Sequence, residues 1–105
     1  MALASPTHIL NKVAGSLVAT QKYASVEEAF WEMAISTVRH KVAYYQRRLR
    51  KMEHKYKMDF DTFSAKLKGK ATLAQEDDWL AWKSARRMLA DWQKSYQDLL
   101  NERHR

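Results

Sequence analysis

WEMAISTVRHKVAYYQRRLRKMEHKY, residues 31–56, places apolar side chains at alternating steps of four and three: Trp31, Ile35, Val38, Val42, Tyr45, Leu49, Met52 and Tyr56. That spacing is the seam of one long amphipathic helix, because 3.6 residues per turn returns each of these positions to the same stripe. A second seam follows near the C-terminus, with Trp82, Ala85, Leu89, Trp92, Tyr96 and Leu99 stepping by three and four. Two such stripes bury each other by packing lengthwise. The expected fold is therefore all-α, a long antiparallel helical hairpin of the coiled-coil kind, with helices over about residues 26–57 and 73–101.

Local signals set the helix ends. Ser25-Val26-Glu27-Glu28 reads as a capping box, in which serine and Glu28 satisfy each other's backbone donors. Thr72-Leu73-Ala74-Gln75 reads as a second one, followed by Glu76, Asp77 and Asp78 at the positive end of the helix dipole. Arg103 and Arg105 suit the negative end. Between the long helices, Asp59 is a candidate N-cap, and Phe60, Phe63 and Leu67 repeat at helical spacing until Gly69, so a short connector helix should plug the hairpin end with its two phenylalanines. Residues 1–24 are more weakly patterned. Ile9, Leu10, Val13, Leu17 and Val18 allow a short amphipathic helix capped at Thr7, ordered against some other surface. The organisation is thus a weakly ordered N-terminal segment, 1–24, and a hairpin domain, 25–105.

Composition narrows the class. At 105 residues and 12.4 kDa the chain is one small domain with a thin core. It has no cysteine, hence neither disulfides nor thiolate metal sites, and residues 1–11 lack the basic start of an export signal; both fit a cytoplasmic protein. No Glu-x-x-His element, nucleophile or phosphate loop is present, and His40 and His54 lie fourteen residues apart on one helix, about 20 Å. The reading is a non-enzymatic protein that calls for no cofactor, metal or membrane.

Surfaces carry the functional argument. From Arg39 to Lys57 there are eight cations (Arg39, Lys41, Arg47, Arg48, Arg50, Lys51, Lys55, Lys57) and one acid, Glu53. Such a stripe suits phosphates, which makes Arg47, Arg48, Arg50, Lys51 and Lys55 the candidates for a nucleic-acid-binding alternative. Aromatic content points elsewhere. Phe30, Met33, Ala34 and Tyr44 lie off the first seam, and Leu73, Trp79, Leu80 and Met88 off the second, more apolar surface than one hairpin buries. The N-terminal segment, a second copy in a homodimeric four-helix scaffold, or a foreign protein would cover it. Trp31, Tyr44, Tyr45, Phe63, Trp79, Trp82 and Trp92 are the candidate partner anchors or hairpin core.

Residues 44–63, YYQRRLRKMEHKYKMDFDTF, followed by Asp77-Asp78-Trp79-Leu80-Ala81-Trp82-Lys83, resemble a phrase of the small helical antitoxins of bacterial and archaeal type II toxin–antitoxin pairs. There a long helix ends in Glu, two residues, Tyr, Gly, Met, Ser or Asp, Phe, two residues, Phe, and an acidic segment then leads into a Trp-containing helix. Glu53, Tyr56, Met58, Asp59, Phe60, Phe63, Asp77, Asp78, Trp79 and Trp82 match it. The resemblance implies a cognate protein partner encoded by an adjacent gene, a compact toxin of the TumE type or similar, often a ribonuclease, neutralised by direct binding. Two departures shape the expectation. Lys57 replaces the glycine of the phrase, so the left-handed cap that glycine permits is not expected there. The chain is also basic, net +7, which favours steric capture over mimicry of RNA by acidic groups.

Overall fold

The computed structural model describes residues 5–20 and 22–104 and contains four helices, α1 (Pro6–Ala19), α2 (Val26–Tyr56), α3 (Phe60–Leu67) and α4 (Leu73–Arg103). Helices α2 and α4 form the expected antiparallel hairpin, in a molecule 58 × 39 × 22 Å across. Every seam residue is buried or half-buried, with Ile35, Val38, Trp82 and Ala85 in the core. Ion pairs tie the hairpin at both ends. Arg103 Nη1 meets Glu32 Oε1 at 2.7 Å at the open end, and Lys55 Nζ meets Asp78 Oδ2 at 2.6 Å at the tip.

The caps explain where the elements start. Ser25 Oγ accepts from the Glu28 N–H at 3.1 Å, but only this half of the expected box is made. The Thr72–Gln75 box is complete: Thr72 Oγ1 accepts from the Gln75 N–H, and Gln75 Oε1 accepts from the Thr72 N–H. Asp59 Oδ1 accepts from the Thr62 N–H at 2.8 Å and starts α3. Hydrogen bonding from Thr62, by its side-chain hydroxyl first and its backbone N–H second, holds the Asp59 carboxyl below its usual range. Helix α4 runs two residues past the expected Asn101, and Arg105 lies outside the described residues.

At residue 57 the structure corrects the sequence reading. Lys57 adopts the left-handed conformation, φ 55° and ψ 38°, although it has a Cβ. The cost is about 1 kcal/mol, and it is accepted because this conformation reverses the chain in time for Asp59 to cap α3. Gly69, φ 74°, takes the second left-handed position, after α3.

The N-terminal segment forms α1, and the surface it orders against is α2. Its N-cap is Ser5, not Thr7: Ser5 Oγ accepts from the His8 N–H at 3.1 Å, and Pro6 occupies the first helical position, where its missing N–H costs nothing. Two alanines are completely buried, Ala14 on α1 and Ala29 on α2. Small side chains let helices approach closely. Half of α1's apolar stripe nevertheless stays outside, with Ile9, Leu10 and Val13 about half exposed.

Candidate functional site

The tip of the hairpin is an aromatic cluster drawn from three helices. Phe63 of α3 lies 4.1 Å from Tyr56 of α2 and 5.3 Å from Trp82 of α4, measured between ring centroids. Phe60 stacks on Trp79 at 5.9 Å and meets the edge of Trp82 at 5.6 Å. These are the offset and tilted arrangements that aromatic quadrupoles favour. Polar groups lock the cluster from outside. Trp79 Nε1 donates to Ser64 Oγ at 2.8 Å, and Ser64 Oγ donates to the Phe60 carbonyl at 2.8 Å, so the indole is fixed to the last turns of α3. Arg86 lies over Phe60 at 4.5 Å and Lys83 over Trp79 at 5.1 Å.

Asp78 is the polar pivot of the tip. Its Oδ2 accepts from both Lys55 Nζ and the Tyr56 hydroxyl. The Lys55 hydrogen bond first, and that of Tyr56 second, hold the Asp78 carboxyl below its usual range, while the bond to Asp78 raises both Lys55 and Tyr56. The signs fix the pH response. A depressed carboxylate stabilises the fold above its unfolded value near 4 and loses that contribution as pH falls through the folded value. The raised Tyr56 and Lys55 contribute below about pH 10 and lose it as pH climbs through their folded values. Melting temperature should therefore be flat in mid-range and fall at both extremes, and Asp78→Asn should remove the tip's share of the acid limb while lowering the plateau. A variant whose acid limb matched the parent's would show that Asp78 is not linked to folding.

Beside the cluster an open groove of about 670 Å³ runs between α3 and the start of α4, lined by Ser64, Ala65, Leu67, Lys68, Ala71, Glu76, Trp79 and Leu80. Its lining is mainly apolar, with one cation and one acid. Leu80 is 58% exposed on its wall, and Leu73, at the first position of α4, is 82% exposed. A leucine left so open at a rigid tip is surface available for contact.

The candidate anchors divide by burial. Phe63 and Trp82 are core residues, 2% and 1% exposed, and offer nothing to a partner while the tip is folded. Trp31, Tyr45, Trp79 and Trp92 are half-buried on the hairpin, and Tyr44 is exposed, held by Arg48, whose Nη1 donates to its hydroxyl at 3.3 Å. Of the seven, Trp79 alone lines the tip groove. Leu73 and Leu80 were visible in the sequence as off-seam leucines; what placed Leu80 on a groove wall is the packing of α3 beside the start of α4, which helical spacing does not encode.

The nucleic-acid candidates behave as one surface. Arg47, Arg48, Arg50, Lys51 and Lys55 are all exposed, as are Arg39, Lys41 and Lys57, so the whole stripe faces solvent. Lys55 is paired with Asp78. Among the described residues no three His, Asp or Glu side chains gather into a metal-holding group, and no helix is long and apolar enough to cross a membrane. Compared with protein-family models, with characterised proteins and with solved structures, the chain matches none.

Proposed function

We propose that this chain is an antitoxin-like binding module that neutralises a compact protein by steric capture at the hairpin tip. The observation that carries the reading is the groove between α3 and α4 with Leu80 exposed on its wall, together with Leu73 exposed at the first position of α4. The resemblance to helical antitoxins supports it from a second direction. Tyr56, Phe60, Phe63, Asp78, Trp79 and Trp82, residues that match the antitoxin phrase, come together at this end of the molecule. Their role is to build a rigid tip out of elements too short to hold themselves, since an eight-residue helix is unstable alone. A preformed groove spares the ordering entropy that binding would otherwise cost, and an apolar lining with a polar rim is the usual anatomy of a contact surface.

Co-expression with the product of the adjacent gene tests the proposal. The neighbour alone should arrest growth, and co-expression should relieve the arrest and yield a complex that co-elutes at fixed stoichiometry. Leu80→Glu combined with Leu73→Glu should abolish rescue and co-elution while leaving helicity and melting temperature near the parent's, because both side chains are already largely in water. A neighbour that is neither toxic nor bound rejects the reading. A complex that survives the double substitution moves the contact away from the tip.

A further inference from the structure

A second surface lies along the hairpin, on α2, and the proposed capture of a protein at the tip does not use it. Each residue turns the helix by about 100°, so the seam residues from Trp31 to Tyr56 share one side of α2, and the cations from Arg39 onward occupy its two flanks and its outer side, Lys55 reaching Asp78 of α4 from one flank. They form columns rather than a random scatter. Lys41, Arg48 and Lys55 repeat every seven residues along one flank, about 10 Å apart; Arg39, Arg50 and Lys57 mark the opposite flank; Arg47 and Lys51 lie between them. All eight are exposed. Lys55 pairs with Asp78, whereas Arg39, Lys41, Arg47, Arg48, Arg50, Lys51 and Lys57 make no ion pair among the described residues.

We infer that the outer face of α2 binds the phosphate backbone of duplex nucleic acid, independently of base sequence. Charge complementarity names the partner's sign, and the composition of the face names its class. A protein partner needs an apolar centre that water leaves on binding. Between these cations the outer face offers only Ala43, half-buried, and Tyr44, whose hydroxyl is engaged by Arg48. Phosphates require no such centre, since their affinity comes from counterion release. Two flanks of cations separated by the width of a helix also match a partner that presents phosphates on both sides of a groove, as a duplex does and a single strand does not. The rod is long enough: Arg39 to Lys55 spans about 24 Å.

The test is fluorescence anisotropy of the full chain with a duplex of arbitrary sequence about two helical turns long, titrated between about 50 and 200 mM salt. With Lys55 held by Asp78, seven cations remain for phosphates, which at about 0.9 per phosphate predicts a slope of log K against log salt near −6 and roughly a few-thousand-fold loss of affinity over that range. Arg47→Ala, Arg50→Ala and Lys51→Ala together should flatten the slope by about 2.7, while Arg87→Ala with Lys94→Ala, both exposed on α4, should leave it unchanged. Loss of the tip leucines should not affect it either, which separates this inference from the capture proposal. Absence of binding at the lowest salt overturns it, as does a slope indifferent to the α2 triple substitution. Equal displacement by polyglutamate of matched charge, or tighter binding of a single-stranded oligonucleotide than of the duplex, also overturns the assignment to duplex phosphates.

Discussion

Phe63→Ala should lower the melting temperature by at least about 12 °C, given a cost of about 3 to 5 kcal/mol for truncating a buried phenylalanine and a shift of about 4 to 8 °C per kcal/mol in a domain this small. The ring is 2% exposed and contacts Tyr56 and Trp82, rings from the two helices that α3 must join. Neighbours that are themselves rigid rings cannot refill the cavity. Total stability for such a domain is about 5 to 15 kcal/mol, so the loss is a large fraction of it. Binding at the tip should disappear with it, because the groove wall formed by Ser64, Ala65 and Leu67 is α3 itself. Thermal denaturation followed by circular dichroism, with partner co-elution measured on the same preparations, reads both effects. A variant that melted within a few degrees of the parent yet lost its partner would make Phe63 a contact residue instead of a core residue.

Trp82→Ala should be comparably severe and should add less than fully to Phe63→Ala. Trp82 is 1% exposed and meets Tyr56 at 6.2 Å, Phe60 at 5.6 Å and Phe63 at 5.3 Å, so α2 and α3 both depend on it. The single substitution should cost about 3 to 5 kcal/mol. In a double-mutant cycle, the pair should fall short of the sum of the singles by about 0.5 to 1.5 kcal/mol, the value of the ring pairing beyond burial. Trp92→Ala, at a half-buried seam position away from the cluster, should cost less. Urea denaturation of the four variants settles the ordering, and strict additivity of Phe63 and Trp82 would dissolve the idea of a single cooperative tip.

Much of this architecture is legible along the chain. The two seams, the Thr72 box and the Asp59 cap follow from rules that act within a few residues, and a heptad stripe of this length has no low-energy alternative to burial against another helix. The burial of Phe63 is legible for a related reason, since a short helix between two long ones survives only by inserting its apolar side chains between them. Position 57 departs from the sequence reading because a local preference for glycine meets a tertiary demand for a tight reversal. At about 1 kcal/mol, that preference is smaller than what the aromatic cluster gains when the chain turns there.

The sequence by itself determined the helices, their pairing and the charge of α2, because periodicity and composition are properties of a chain read along its length. Only the tertiary structure decided which aromatics are core and which are surface. Trp82 lies on the second seam and Trp79 off it, but the sequence left both as anchor or core; α3 packs so as to enclose Trp82 and leave Trp79 as the wall of an open groove. Tertiary structure likewise set Asp78 between Lys55 and Tyr56, more than twenty residues distant, where local reasoning saw only an acid suited to a helix start. The physical reason is common to both. Burial and hydrogen-bond partnership depend on the angle at which separate elements meet, and that angle is set by the summed packing of all of them rather than by the neighbours of any one residue.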